Sequence, residues 1–141
     1  SYLLLLGTGE LEDEIHHYVD DRGLSDRVIF TGSVANVEDF YSAMDVFALP
    51  SLYEGFPVVS IEVQAAGLPL YASDNIDRSI DVAQGVHFLS VKEEPLHWAN
   101  EILKEGVSTR YLKNIEALRA ACYDISIEAS SLENLYRNMD C

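Results

Sequence analysis

The chain has 141 residues, 48% of them apolar, and a formal net charge of -15; that length and apolar content suit a single core-forming domain. The acids concentrate between Glu10 and Asp26, with only Arg22 and Arg27 among them, a surface that argues against nucleic acid and anionic lipid as direct partners. No stretch approaches the ~20 apolar residues of a membrane-spanning helix, and Tyr2–Leu6 is too short, with no basic segment before it, for a secretory signal.

Tyr2 to Leu6 is a continuous apolar run and reads as a strand buried on both faces, as in a parallel sheet. A start at Ser1, directly on a strand, suggests a chain cut from a longer protein. Gly7-Thr8-Gly9 turns into a helix with an acidic first turn (Glu10, Glu12, Asp13, Glu14), as the helix dipole favours. Leu11, Ile15, Tyr18 and Val19 form its apolar stripe, and Gly23 closes it. The second strand is Val28-Ile29-Phe30, ending at Thr31-Gly32-Ser33. Asn36 then caps a short helix whose inward residues are Val37, Phe40, Tyr41 and Met44.

Val46 to Leu49 is the third strand. Its helix runs from Pro57 to Ala66, with proline at the favoured first position and Gly67 just past the end. Leu70 to Ala72 is a strand, followed by the loop Ser73-Asp74-Asn75-Ile76 and a weak helical turn towards Val82. Val86 to Leu89 is the last strand. Three helices follow. Pro95 opens the first, with Leu96, Ala99, Ile102 and Leu103 on one side; Tyr111, Leu112, Ile115, Leu118 and Cys122 mark the second; Leu132, Leu135, Tyr136 and Met139 mark the last.

Alternating strands and helices give an α/β fold, Rossmann-like, with a mostly parallel sheet and flanking helices. Ligands bind such sheets beyond the carboxyl ends of the strands, so the loops to watch are Gly7–Glu10, Thr31–Asn36, Pro50–Pro57 and Ser73–Asp77. The third carries Glu54 and Gly55, and the helix behind it carries Glu62 inside the run Val58-Val59-Ser60-Ile61-Glu62-Val63. That helix is apolar nearly all round and should be buried, so its carboxylate needs a hydrogen-bonding partner. Two carboxylates so placed suit a polyhydroxylated ligand. The amides of Val58 and Val59 at the helix start suit phosphate, and Gly55 allows close backbone approach.

Gly7 and Gly9 resemble the opening of a dinucleotide fingerprint, with Glu12 at its third glycine position, and the backbone at Ser33 and Val34 is placed to read a base edge. A plain turn is the competing reading of both. Arg78 is the one basic residue near these loops. Cys122 and Cys141 have no metal or redox spacing and fit a reducing cytoplasm. His16, His17, His87 and His97 are scattered and read as solvated or packing residues, so no metal is expected.

The pieces Leu5-Leu6-Gly7-Thr8-Gly9, Val28 to Gly32, Met44 to Ser51, Glu54-Gly55-Phe56-Pro57, Glu62 and Ala65-Ala66-Gly67-Leu68-Pro69 together resemble the C-terminal, nucleotide-sugar-binding domain of retaining glycosyltransferases of the GT-B fold. Within that class the chain is similar to the group 1 enzymes of bacterial capsular and exopolysaccharide synthesis. The resemblance reaches the final helix. The chain departs from it at Val63, where alanine is usual, and at Ser73–Ile76, where paired glycines are common.

The resemblance implies roles. Glu54 would be the catalytic-site carboxylate on the transferred sugar, and Glu62 would hold the ribose hydroxyls. Phe56 and Pro57 would lie by the sugar, Val58 and Val59 by the diphosphate, and Ser33 and Val34 by the base. It implies a nucleotide-diphosphate sugar as donor substrate, no metal or other cofactor, and retention of configuration. It places residues 1–141 as one donor-binding domain that lacks its first strand, the upstream arginine and lysine, and the N-terminal domain for an acceptor glycan or lipid-linked glycan. The chain alone is then inactive, self-association at the vacated sheet position is a further expectation, and the setting is cytoplasmic, with membrane contact only through the missing domain. A GT-B sugar-nucleotide epimerase and a non-catalytic binding or assembly domain are the alternatives.

Overall fold

The structure is a computed structural model that describes residues 1–105 and 114–139. Tyr111, Leu112 and Cys141 lie outside the described residues. The chain divides into two compact units, Ser1–Val37 and Glu38–Cys141.

The first unit is one strand-helix-strand crossover: β1 (Leu3–Leu6), α1 (Glu12–Asp21) and β2 (Val28–Gly32). β1 and β2 pair in parallel, with Leu3 opposite Val28 and Leu5 opposite Phe30. The register slips between Leu5 and Leu6, so that Leu6 faces Gly32. α1 is anchored by Val19, its one buried residue, and by His16, whose ring stacks on Phe30 at 3.8 Å. The expectation of a buried α1 stripe and a doubly buried β1 is corrected here. Leu11 is 62% exposed, and Leu3, Ile15 and Tyr18 are exposed as well. A ladder of two strands offers only a narrow face, too little to cover a ten-residue helix.

The second unit begins as α2 (Val37–Ala43) leads into β3 (Phe47–Leu49), followed by α3 (Val58–Ala65), β4 (Leu70–Ser73), a single 3-10 turn at Arg78–Ile80, β5 (Val86–Leu89), α4 (Pro95–Glu105), α5 (Asn114–Ala120) and α6 (Ile125–Met139). Its sheet is parallel throughout, ordered β3-β4-β5. β4 is the middle strand, and all four of its residues are buried. Leu68, Ile76, Ile80 and Val63 complete the fully buried core around it. At about 25 cal/mol per Å² of apolar surface, such burial is the main term that holds a small sheet together.

α3 packs with the face Ser60, Val63, Gln64 and Gly67, spaced as one side of a helix. It is therefore not buried all round as expected: Val58, Glu62 and Ala65 are exposed. α3 also starts one residue late, because Pro57 has ψ 104° and stands at the N-cap. α4 buries Trp98, whose indole N–H donates to the Ser90 carbonyl at 2.9 Å. The expected stripe fails there, since Leu96, Ala99 and Leu103 are exposed. In α5, Asn114 and Leu118 are buried and Ile115 is exposed. α6 has no buried residue, and its stripe of Leu132, Leu135, Tyr136 and Met139 faces solvent.

Three helices end in the same left-handed closure. After α1, the amides of Gly23 and Leu24 donate to Asp20 and Val19; after α3, those of Gly67 and Leu68 donate to Gln64 and Val63; after α5, those of Cys122 and Tyr123 donate to Arg119 and Leu118. The turning residues have φ of 64°, 73° and 66°. Glycine adopts this without strain, and cysteine does not.

Candidate functional site

The site elements of the second unit are β3, the loop after it, and α3. β3 delivers the chain to Pro50. Ser51 is half-buried at the start of the loop, and its hydroxyl donates to Glu54 Oε1 at 2.8 Å. The Leu52 carbonyl accepts from Asn75 Nδ2 at 3.2 Å, while the Asn75 amide donates to Ser73 Oγ at 3.2 Å. Two loops that leave the sheet at its carboxyl edge, after β3 and after β4, are thereby tied together. Ser73–Ile76, where the sequence departs from the paired-glycine pattern, supplies that tie.

Gly55 is exposed, and a Cβ built on it would meet nothing within 4 Å. Pro57 is buried. The Phe56 ring lies parallel to that of Tyr123, with centroids 6.2 Å apart and planes 5° apart. No side chain caps α3, and the amides of Val58 and Val59 open its first turn, where backbone donors have no partner within the helix. Tyr53 next to Glu54 is 87% exposed.

Glu62 is exposed, not enclosed as its sequence neighbours suggest. Its partner is Tyr41, whose hydroxyl donates to Glu62 Oε2 at 2.8 Å. The Tyr41 ring is buried and meets Phe47 of β3 edge-on, with centroids 6.1 Å apart. Burial first, and then the Glu62 carboxylate, push the Tyr41 phenol well above its ordinary range. It therefore stays protonated, and a donor, throughout the neutral range.

Behind this face lies a polar cluster that the sequence did not announce. Gln64 is 1% exposed. Its Nε2 donates to the carbonyls of Ser60 at 2.8 Å and Ile80 at 2.7 Å, and its Oε1 accepts from the Ala83 amide at 3.0 Å. Asn114 Nδ2 donates to the Gln64 carbonyl at 3.1 Å. α3 is thus tied to the segment after the 3-10 turn and to α5. The Ser60 hydroxyl, fully buried, has no hydrogen-bond partner among the described residues.

In the first unit, the Gly7 amide donates to the Gly32 carbonyl at 2.8 Å, and the Glu12 amide to the Gly9 carbonyl at 3.1 Å. Gly7 and Gly9 border an apolar cavity of about 260 Å³ whose walls include Leu5, Leu11, Ile15 and Phe30. It is smaller than most small-molecule sites, which run from about 300 Å³ upwards. Ser33 is exposed and Val34 half-buried just beyond β2. Arg78, in the second unit, rests its guanidinium 4.0 Å over the Phe88 ring. No group of three or more His, Cys, Asp or Glu residues could hold a metal among the described residues, and no described helix is long and apolar enough to cross a membrane.

Tyr41, Ser51, Asn75 and Gln64 are the residues that sequence reasoning passed over as site components. Ser51 and Tyr41 carried a usable signal, a hydroxyl close to the carboxylate loop and a hydroxyl at the end of an inward helix face. Gln64 carried none.

Comparison with known proteins gives the family. A model of the family described as glycosyl transferases group 1 matches residues 1–104. The putative glycosyltransferase EpsF of Bacillus subtilis (strain 168) is 36% identical over 137 residues, which are 95% of this chain and 36% of EpsF. The chain thus spans about a third of that relative's length. Among solved structures, sucrose-phosphate synthase from Thermosynechococcus elongatus superimposes with a TM-score of 0.74 at 26% identity, over 97% of this chain and 38% of that one. HepE from Anabaena, in complex with UDP-glucose, gives a TM-score of 0.70 at 23% identity, over 96% of this chain and 41% of that one. The chain belongs to the group 1 glycosyl transferases and has the fold of their C-terminal GT-B domain.

Proposed function

We propose that this chain is the donor-binding part of a longer, cytoplasmic glycosyltransferase that takes a nucleotide-diphosphate sugar and passes its hexosyl group to a growing surface polysaccharide. The observation that carries the reading is the pair Glu54 and Glu62 on consecutive elements, each with one carboxylate oxygen already held by a hydroxyl. Ordered carboxylates suit sugar hydroxyls, which are donors in need of an acceptor at fixed geometry. The match to EpsF and the family model support the enzyme class, and the UDP and UDP-glucose named with HepE support the donor class.

In this reading Glu62 accepts from the ribose hydroxyls and Glu54 from the transferred sugar. The backbone at Ser33 and Val34 receives the base, and Gly7 and Gly9 leave room for the donor. The amides of Val58 and Val59, with those near Phe56 and Pro57, meet the diphosphate and the sugar. Transfer breaks the bond between the anomeric carbon and the diphosphate, forms one to an acceptor oxygen, and retains configuration without a metal. The protein's task is to stabilise charge on the leaving diphosphate with oriented donors. In this reading the preceding segment of the longer chain supplies the acceptor domain, a further strand, and the arginine and lysine that neutralise the diphosphate.

An NMR titration with UDP, GDP and ADP, on this chain and on the full-length protein, tests the reading. One nucleotide should shift Ser33, Val34 and residues 58–62, and Glu62→Ala should weaken it about tenfold or more. Absence of binding by the full-length protein with all three nucleotides would overturn it. Sugar release that depends on acceptor separates transfer from epimerisation.

A further inference from the structure

We propose that Tyr41 is a positioning residue that sets the Glu62 carboxylate for a vicinal diol, and so makes the site discriminate ribose from its deoxy forms. The inference rests on the ribose reading of Glu62 and goes beyond it, because it assigns the discrimination to a residue outside the loop and helix that carry the carboxylates.

Glu62 stands on the exposed face of α3. A glutamate there has three side-chain torsions to settle, and ordering them on binding weakens the complex. Here the ordering is done in advance. The Tyr41 hydroxyl holds Oε2 at 2.8 Å. Tyr41 is itself fixed, 4% exposed, with its ring set edge-on against Phe47. α2 and β3 therefore act through one phenol to fix the plane of a carboxylate on α3. A carboxylate oxygen accepts more than one hydrogen bond, so Tyr41 orients the group without using it up. The phenol's raised pKa keeps the donor in place across the neutral range.

The pair also has a purely structural reading, as a link between α2 and α3. The two differ in what Tyr41→Phe does. That substitution keeps the ring and its packing against Phe47 and removes only the hydroxyl. A structural link changes stability alone. A positioning residue changes the preference for a diol.

The experiment is isothermal titration of the full-length protein with the tightest-binding of UDP, GDP and ADP and with its 2′,3′-dideoxy form, for wild type, Tyr41→Phe and Glu62→Gln. Both ligands are measured on the same sample, so any change in folded fraction cancels from their affinity ratio. The wild type should prefer the ribose form. Glu62→Gln should abolish the preference, and Tyr41→Phe should cut it about five- to tenfold, the size of one hydrogen bond, with dideoxy affinity unchanged. A wild-type ratio in Tyr41→Phe, beside a lost preference in Glu62→Gln, would overturn the positioning role and leave the ribose reading standing. A preference kept by Glu62→Gln, or no nucleotide bound by the wild type, would overturn the ribose reading and this inference with it.

Discussion

At the scale of single residues, the second unit is held by polar side chains that reach backbone far away in sequence. Gln64 is the clearest. Its amide meets both the Ile80 carbonyl and the Ala83 N–H, so one side chain satisfies a donor and an acceptor that have no ladder to join. Gln64→Ala leaves the half-buried Ala83 N–H without its partner and leaves the Ile80 carbonyl with only the Val82 N–H. It should lower the unfolding free energy by about 2–4 kcal/mol, seen in urea as a lower midpoint at unchanged slope. Nothing in the sequence marks this residue. A glutamine between Val63 and Ala65 has no period to break, and beyond Ser60 on its own helix its partners lie sixteen and nineteen positions away. Glu54 and Glu62 were legible for the opposite reason, since a strand, a glycine-bearing loop and a proline-led helix place them by local rules alone. The burial of Glu62 was misread for a physical reason as well. A helix with apolar residues on all sides gives no direction to its hidden face, and the face with Ser60 and Gln64 went inside while Val58 stayed out.

At the scale of elements, all five strands and helices α1 to α4 were legible within about two residues, because apolar runs, glycine stops and proline starts fix existence and type; α6 was legible only in its second half, since it begins at Ile125, well before the Leu132 that opens its apolar stripe. The faces were less legible. The stripes of α1 and α6 state which side favours cover, and among the described residues that cover is thin for α1 and missing for α6. Pattern reports preference, and packing reports whether a partner is there to meet it. The helix ends show the reverse case, in which geometry is met and composition is not. Gly23 and Gly67 turn α1 and α3 where glycine belongs, and Cys122 makes the same turn after α5 at φ 66°. Cys122→Gly should relieve the strained backbone there and raise the melting midpoint by a few degrees, read by calorimetry. A lower midpoint would mean that the thiol contributes more than its backbone costs. Its neighbour Tyr123 faces Phe56 of the carboxylate loop, so the turn also sets where that loop rests.

At the scale of the whole molecule, the family model ends at residue 104, one residue before the end of α4, while the match to EpsF runs on over 95% of the chain. The superpositions on sucrose-phosphate synthase and HepE, over 97% and 96% of the chain, also reach past that point, so the likeness in fold extends beyond the family model. Within Glu38–Cys141 the sheet is organised around β4, the strand with neighbours on both sides and no exposed residue. That arrangement has a consequence for the order of events in time. β3 reaches β4 across α3, and β5 follows β4 across the segment that holds the 3-10 turn, so β4 pairs with the strands next to it in sequence, the least costly closures open to a parallel sheet. β4 pairs on both sides, and the expectation is that the barrier to folding is crossed as it pairs. Leu70→Ala should slow refolding in stopped-flow experiments, whereas Leu135→Ala in α6, whose side chain is exposed, should leave that rate unchanged. If the two variants slowed refolding alike, the helix at the end of the chain would be part of the first structure to form and not the last.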